Sequence, residues 1–243
     1  MTYKTVSITE SQVGKYIDTN GDGIPEGVIF ADLAIGGSGQ WGKHPHHNEF
    51  CQYKIPIIKE FKDYIIVGEY DDKINGKQEV LAPILSGPER FYIISLHDVV
   101  LPSSSECCFA TWYNSAYYYG IEDYYVTTSD DFGAGKQNTL TMINSWNYES
   151  YGEQNTDDCI DIWSEIQEDV KNGWFVPSRQ ELAAFGANLG FTKYNYSDRG
   201  FKKFYWSSSL YDDNNAYLAY FNNGFIDNNS IICDYSIRLA MTI

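Results

Sequence analysis

The sequence predicts an α+β fold in which two helices pack on twisted antiparallel sheets, with a long β-rich region at the N-terminal side of the helices. Three observations carry this. Short β-branched and aromatic runs broken by turn residues recur between residues 28 and 101, two amphipathic helices are marked between Asp161 and Gly190, and the stretch from Tyr205 to Ile243 alternates in the way paired strands do.

Val28-Ile29-Phe30-Ala31-Asp32-Leu33-Ala34 is the first clear strand, ended by Ile35-Gly36-Gly37-Ser38-Gly39. Tyr64 to Val67, Glu79 to Ala82 and Phe91 to Leu96 follow as strands, separated by Asn75-Gly76 and Ser86-Gly87-Pro88. A helix over Asp161 to Lys171 has Ile162, Trp163, Ile166 and Val170 on one stripe and stops at Asn172-Gly173. The next opens at the capping box Ser178-Arg179-Gln180-Glu181, buries Leu182, Phe185 and Leu189, and closes at Gly190. Ala216 to Phe221 then leads through Asn223-Gly224, a two-residue hairpin signal, into Phe225-Ile226. From Ile231 onward, Ile231, Cys233, Tyr235, Ile237, Leu239 and Met241 share a core-facing side, and Ile232, Asp234, Ser236, Arg238, Ala240 and Thr242 the other. No repeat or linker divides the chain. It reads as one elaborated domain, with an N-terminal strand and β-rich elaboration over 1–157 and a motif-bearing core over 158–243.

A net charge of -16 with only four Arg excludes a nucleic-acid or anionic-membrane surface, since both need clustered Lys and Arg. No apolar run approaches membrane-spanning length, and Met1 to Ser7 is no charged-then-apolar leader. The 21 Tyr suit an amphipathic contact surface, because each offers rigid area and a hydroxyl at low entropy cost. Five Cys without a CxxC pair indicate neither a disulfide framework nor a zinc ribbon, and are expected to be buried free thiols.

Asp18, Asn20, Asp22 and Glu26 stand at positions 1, 3, 5 and 9 of a calcium-loop pattern with Gly23 at position 6, and form a candidate structural calcium site; position 12, however, is Ile29 where a bidentate Glu is required. A plain Asx/Gly turn accounts for the same residues. His44-Pro45-His46-His47-Asn48-Glu49 collects possible transition-metal ligands in a spacing that matches no established motif. His97-Asp98 lacks a Gly-x-Ser-x-Gly nucleophile, and Gly133-Ala134-Gly135-Lys136-Gln137 resembles a phosphate loop only superficially, with Asp130 where the first glycine belongs. No catalytic residue or required cofactor emerges from these.

The composition of the C-terminal stretch is unusual. From Ser207 to Ala240, 34 residues contain no Lys, Glu, Gln, Met or Trp. The whole chain leads one to expect about six in such a window, and the preceding 34 residues hold seven. Asn-Asn doublets stand at 214/215, 222/223 and 228/229. Randomising the adenines of AAC codons yields fifteen amino acids and never those five, and leaves Asn wherever the codon is unchanged. A Lys-poor, Asn-rich pair of hairpins is the plain structural alternative.

Gly173-Trp174-Phe175-Val176-Pro177-Ser178-Arg179-Gln180-Glu181-Leu182, then Tyr205-Trp206-Ser207-Ser208-Ser209 and Ile237-Arg238-Leu239-Ala240, resemble the signature of C-type lectin-like domains in the sulfatase-modifying-factor and DUF1566-like branch. More narrowly the chain resembles the variable proteins of diversity-generating retroelements. That resemblance implies a C-type lectin-like fold, the N-terminal strand at Val28 to Ala34 pairing with the last strand, and a non-catalytic binder at a bacterial cell surface or on a phage particle. Its C-terminal face, within about 205–240, would be hypervariable through adenine-directed mutagenesis. Phe175 stands where the family has Arg, and the sugar-and-calcium motifs of animal lectins and the cysteine pair of formylglycine generation are absent.

The residues expected to vary and to touch a protein or surface-polymer ligand are Tyr211, Asp212, Asp213, Asn214, Asn215, Tyr217, Leu218, Tyr220, Asn222, Asn223, Phe225, Asp227, Asn228, Asn229, Ser230, Ile232, Asp234 and Ser236. Trp174, Trp206, Gly224 and Arg238 are assigned to structure, Gly224 for a positive φ and Arg238 for an internal carboxylate. The competing expectations are a calcium-stabilised adhesin or phage receptor-binding tip without diversification, and a sulfatase-modifying-type or metal-dependent enzyme.

Overall fold

The computed structural model describes residues 4–100, 107–110, 126–148 and 160–243; Asp158 and Cys159 of the motif-bearing segment lie outside them. The fold is mixed α/β, dominated by two sheets. The N-terminal strands are β1 (Lys4–Thr5), β2 (Tyr16–Ile17), β3 (Gly27–Asp32), β4 (Gly37–Lys43), β5 (Phe50–Ile55), β6 (Tyr64–Asp72), β7 (Gly76–Pro83) and β8 (Phe91–Ser95). Four helices follow among the described residues: α1 (Gly135–Asn147), α2 (Ile162–Glu165), α3 (Gln167–Lys171) and α4 (Arg179–Asn188). The chain ends in β9 (Phe204–Asp212), β10 (Asn215–Tyr220), β11 (Phe225–Ser230) and β12 (Ala240–Thr242).

The larger sheet has the order β1-β6-β7-β2-β3-β8-β12 and the smaller β5-β4-β11-β10-β9. Neither is purely antiparallel, because β2 pairs with β7 and β4 with β11 in parallel. Every residue of β3 is buried, which explains its near-continuous apolar run. The last strand pairs with β8, Ala240 opposite Ile94, and not with the Val28 to Ala34 segment. β3 lies one strand further in, because Phe91 to Ser95 inserts between the two.

Helix α4 holds the sheets together. Its Leu182, Phe185 and Leu189 share one core with Tyr16, Val28 and Phe30 of the larger sheet and with Tyr53, Tyr205, Phe221 and Ile226 of the smaller sheet and its hairpin. A Cβ on Gly186 would stand 2.6 Å from the Trp41 ring, so only glycine lets β4 approach this helix so closely. The opposite face of β9 and β10 presents Trp206, Leu210, Ala216 and Leu218 to a second core built with Phe109, Met142, Ile162 and Trp163. A third cluster, with Ile17, Ile29, Tyr64 and Phe91, covers the outer side of the larger sheet.

Four local expectations change. The helix read over Asp161 to Lys171 is interrupted at Ile166, which at φ -92° and ψ 4° is non-helical and separates α2 from α3. Helix α1 begins inside the Gly133 to Gln137 stretch, where the sequence pattern predicts no helix. The β10–β11 turn spans four residues, because Tyr220 pairs with Phe225; Gly224 adopts φ +71° within it. Cys51 and Cys233 are free thiols, but Cys108 is disulfide-bonded, contrary to the expectation of free thiols throughout.

One buried ion pair ties the chain's ends to the larger sheet. Arg90 donates from Nε and Nη2 to the two carboxylate oxygens of Asp32, both at 2.9 Å, and from Nη2 to the Ser7 carbonyl at 3.0 Å. Both side chains are 1% exposed, the guanidinium lies against the Phe61 and Phe91 rings, and the Arg90 backbone N–H reaches the Ile243 carbonyl. Removing one member of such a pair strands the other in a dry interior. Asp32→Ala is expected to cost about 3–5 kcal/mol in urea unfolding, and the double replacement Asp32→Leu, Arg90→Met to recover most of that loss.

Candidate functional site

The surface made by the C-terminal hairpins rests on a polar seam. Ser207, Ser208 and Ser209 are fully buried, and each hydroxyl is used. Ser207 Oγ donates to the Tyr217 carbonyl at 2.8 Å, Ser208 Oγ accepts from Asn138 Nδ2 at 3.2 Å, and Ser209 Oγ donates to the Ser129 carbonyl at 2.9 Å while accepting the Arg179 N–H at 3.0 Å. The seam fastens β9 to β10, to the start of α4, to α1 through Asn138 and to Ser129.

Glu181 is the buried centre of that junction. The capping box is complete: Ser178 Oγ accepts the Glu181 N–H, and Glu181 Oε2 accepts the Ser178 N–H at 2.7 Å. Oε1 accepts the Gly133 N–H at 3.0 Å, tying the loop before α1 to the helix. Burial pushes the carboxyl up to about 7, against the N–H groups of Ser178, Gly133 and Gly135, which favour the charged form.

Outward from this base, the expected contact residues separate by strand pleat and do not make one patch. At the β9–β10 tip Tyr211, Asp212, Asp213 and Asn214 are exposed, with Ile232 and Asp234 also exposed further along the chain. On one face, Asn215 pairs with Ser230 and Tyr217 with Asn228. There the Arg179 guanidinium stands 4.2 Å from the Tyr217 ring centre, Tyr217 is 5.4 Å from Tyr211, and Arg179 Nη1 binds Asp130 Oδ2 at 3.0 Å. Burial raises the Asp130 carboxyl, and Arg179 offsets this only in part.

On the other face, Asn229, Asp227 and Phe225 pair with Ala216, Leu218 and Tyr220. Asn229 Nδ2 donates to the Tyr235 hydroxyl at 2.8 Å, and Phe204 lies between the Tyr220 and Tyr235 rings at 5.0 and 5.2 Å. Burial, with Cys233 next in effect, pushes the Tyr235 hydroxyl up to about 12. His44 Nε2 is 3.6 Å from Asp227 Oδ1, and the His47 ring is 4.6 Å from that of His44. Asn222 and Asn223 lie half-buried in the turn at the far end, where Asn223 Oδ1 accepts the Phe225 N–H.

Two of the expected contact residues are not on the surface. Leu218 is fully buried because the alternation of β10 sends it into the second core. Ser236 is fully buried because its backbone pairs with β9, exchanging bonds with Phe204 and Trp206. Arg179 and Asp130 are the residues that sequence reasoning missed here: one was read only as part of a cap, the other as a missing glycine.

The structural residues are placed as follows. Trp206 is fully buried, and its Nε1 donates to the Cys107 carbonyl at 3.1 Å. Arg238 Nε donates to Asp98 Oδ1 at 2.7 Å, and its guanidinium lies 3.8 Å from the Phe201 ring centre. Trp174 is only half-buried. Asp98 is thus engaged with Arg238 and with the Tyr205 hydroxyl.

The Asp18 loop closes on its own backbone. Asp18 accepts the Gly21 and Gly23 N–H groups at 2.7 and 2.9 Å, Asn20 accepts Asp22 N–H, Asp22 accepts Ile24 N–H, and Glu26 accepts Thr19 N–H. Among the described residues no group of three or more His, Cys, Asp or Glu is disposed to hold a metal ion.

No family model matches the chain, and no curated protein matches it. Among solved structures it is similar to a fimbrial protein from Bacteroides ovatus ATCC 8483, with a TM-score of 0.39 and 14% identity, over 63% of this chain and 36% of that one. The chain spans about a third of that protein's length. Among the described residues no helix is long and apolar enough to cross a membrane.

Two outcomes test this geometry. Because Glu181 has its carboxyl raised in the folded state, the native protein binds more protons than the unfolded chain between about pH 4.5 and 7, and stability falls as pH rises through that window. Denaturant titrations are expected to show a decline of roughly 1–3 kcal/mol for this one group, and Glu181→Gln to remove that part of the slope. Calcium added to chelator-treated protein is expected to leave the melting temperature unchanged, since backbone donors already occupy the Asp18 loop oxygens; a rise that saturates would assign the loop a cation.

Proposed function

We propose that this is a non-catalytic ligand-binding protein of C-type lectin-like fold, in the manner of diversity-generating retroelement variable proteins. It displays a C-terminal surface diversified by adenine-directed mutagenesis and binds a protein or surface polymer outside the cell or on a phage particle. The observation that carries the reading is the run from Ser207 to Ala240 without Lys, Glu, Gln, Met or Trp.

The division of labour along the hairpins supports it. Trp206, Leu210, Ala216, Leu218, Ile226 and Ile231 carry the packing, while Tyr211, Asp213, Asn214, Ile232 and Asp234 are exposed. Exposed changes usually stay within about 0.5 kcal/mol, so such positions are free to vary without loss of the scaffold. Tyr211 and Tyr217 supply rigid amphipathic area, and the Asn, Asp and Ser around them supply adaptable hydrogen bonding. Tyr217 is additionally held by Arg179, which lies outside the compositional gap.

Sequencing the gene and its neighbourhood tests the genetic claim. A second copy of the coding segment that differs only at template adenines, beside a reverse-transcriptase gene, is the expected result; a segment with no such copy overturns it. A stability scan tests the structural side. Single replacements at Asp213, Asn214 and Ile232 are expected to change unfolding free energy by less than about 0.5 kcal/mol, and Leu218→Ala to cost about 2–5 kcal/mol.

A further inference from the structure

A cleft of about 380 Å³ opens beside the end of β8, between residues 95–100 and the α2–α3 pair. It is walled by Trp174 and Leu239 and carries His97, Asp98, Glu165 and Asp169. None of these belongs to the hairpin surface. Its volume falls within the roughly 300–1,000 Å³ range of small-molecule sites.

The polar groups of the cleft are unequally engaged. Asp98 is neutralised by Arg238 and also accepts the Tyr205 hydroxyl. Glu165 accepts only the Ser164 hydroxyl, at 3.2 Å, and Asp169 has no side-chain partner among the described residues. Burial pushes the Asp169 carboxyl up, with Glu168 adding to it and no cation opposing it. The Trp174 indole packs against two of the three hydrophobic clusters, and its N–H has no partner among the described residues.

Two carboxylates without a cation repel an anionic ligand. A bare divalent ion requires a cage of converging oxygens, and among the described residues no three His, Cys, Asp or Glu groups are disposed to hold a metal ion. An aromatic wall beside paired negative charge suits instead a cation with an apolar stem. We infer that this cleft binds a protonated alkylamine, its ammonium between Glu165 and Asp169 and its methylene chain along Trp174. The amine would belong to a free polyamine-like molecule or to a lysine side chain of a partner. The inference is independent of the hypervariable-surface reading, and either can fail alone.

The experiment is a ¹H–¹⁵N NMR titration of the folded chain, following the indole N–H resonance identified as that of Trp174 by its loss in Trp174→Phe. The probes are cadaverine, N-acetyl-lysine methylamide, and N-acetyl-norleucine methylamide, which keeps the stem and lacks the charge. A saturable shift with either amine and none with the norleucine compound is expected; cadaverine alone points to a free amine, and the lysine compound to a partner side chain. Asp169→Asn should weaken the amine about fivefold or more, and Glu165→Gln provides the same readout should that variant misfold. No saturable shift, an equal shift with norleucine, or binding indifferent to both variants overturns the proposal.

Discussion

The buried carboxylate of Glu181 is the constraint on which the placement of the hairpin surface depends. It caps α4 in the chain direction, and through the Gly133 N–H it holds the loop that leads into α1. Around it, Ser178 Oγ donates to the Asp131 carbonyl, the Gln180 N–H to the Asp130 carbonyl, and the Arg179 N–H to Ser209 Oγ. One turn of helix therefore gathers a loop, a second helix and the first strand of the hairpins. The carboxyl is dry, and its charged form is favoured by the backbone N–H that each oxygen accepts at a helix start, where unpaired donors and the helix dipole both suit negative charge.

That junction sets what the smaller sheet can present. With β9 fastened through three serine hydroxyls, the pleat of β10 is locked, and Leu218 and Tyr217 face opposite sides. A one-residue slip would exchange core for display. The seam is made of buried serines, so the register does not rely on side chains that face outward. Arg179 links the two levels, since its backbone belongs to the cap and its guanidinium lies against Tyr217.

A separate pair of buried arginines holds the rest. Arg90 is bound bidentately by Asp32 and joins the N-terminal segment to the last residue, while Arg238 and Asp98 join the chain just before β12 to the segment after β8. Both lie against aromatic rings, which suits the weakly hydrated guanidinium. In a chain of net charge -16 with only four arginines, two are committed to the interior.

What the sequence determined by itself was local: β3 from its apolar run, the capping box of α4 from Ser178 and Glu181, and the positive φ at Gly224. These are readable because period, cap chemistry and glycine's conformational freedom act over a few residues. The alternation read from Ile231 onward fails where Ser236, Arg238 and Ala240 are all buried. The tertiary structure decided the rest. Phe91 to Ser95 took the place beside the last strand, Ser236 was buried by pairing with β9, and the expected contact residues were divided between two faces. Asp130 met Arg179 across 49 positions, and Asp98 met Arg238 across 140. Such pairings depend on which surfaces meet when sheets and helices pack, and one-dimensional spacing carries no record of that.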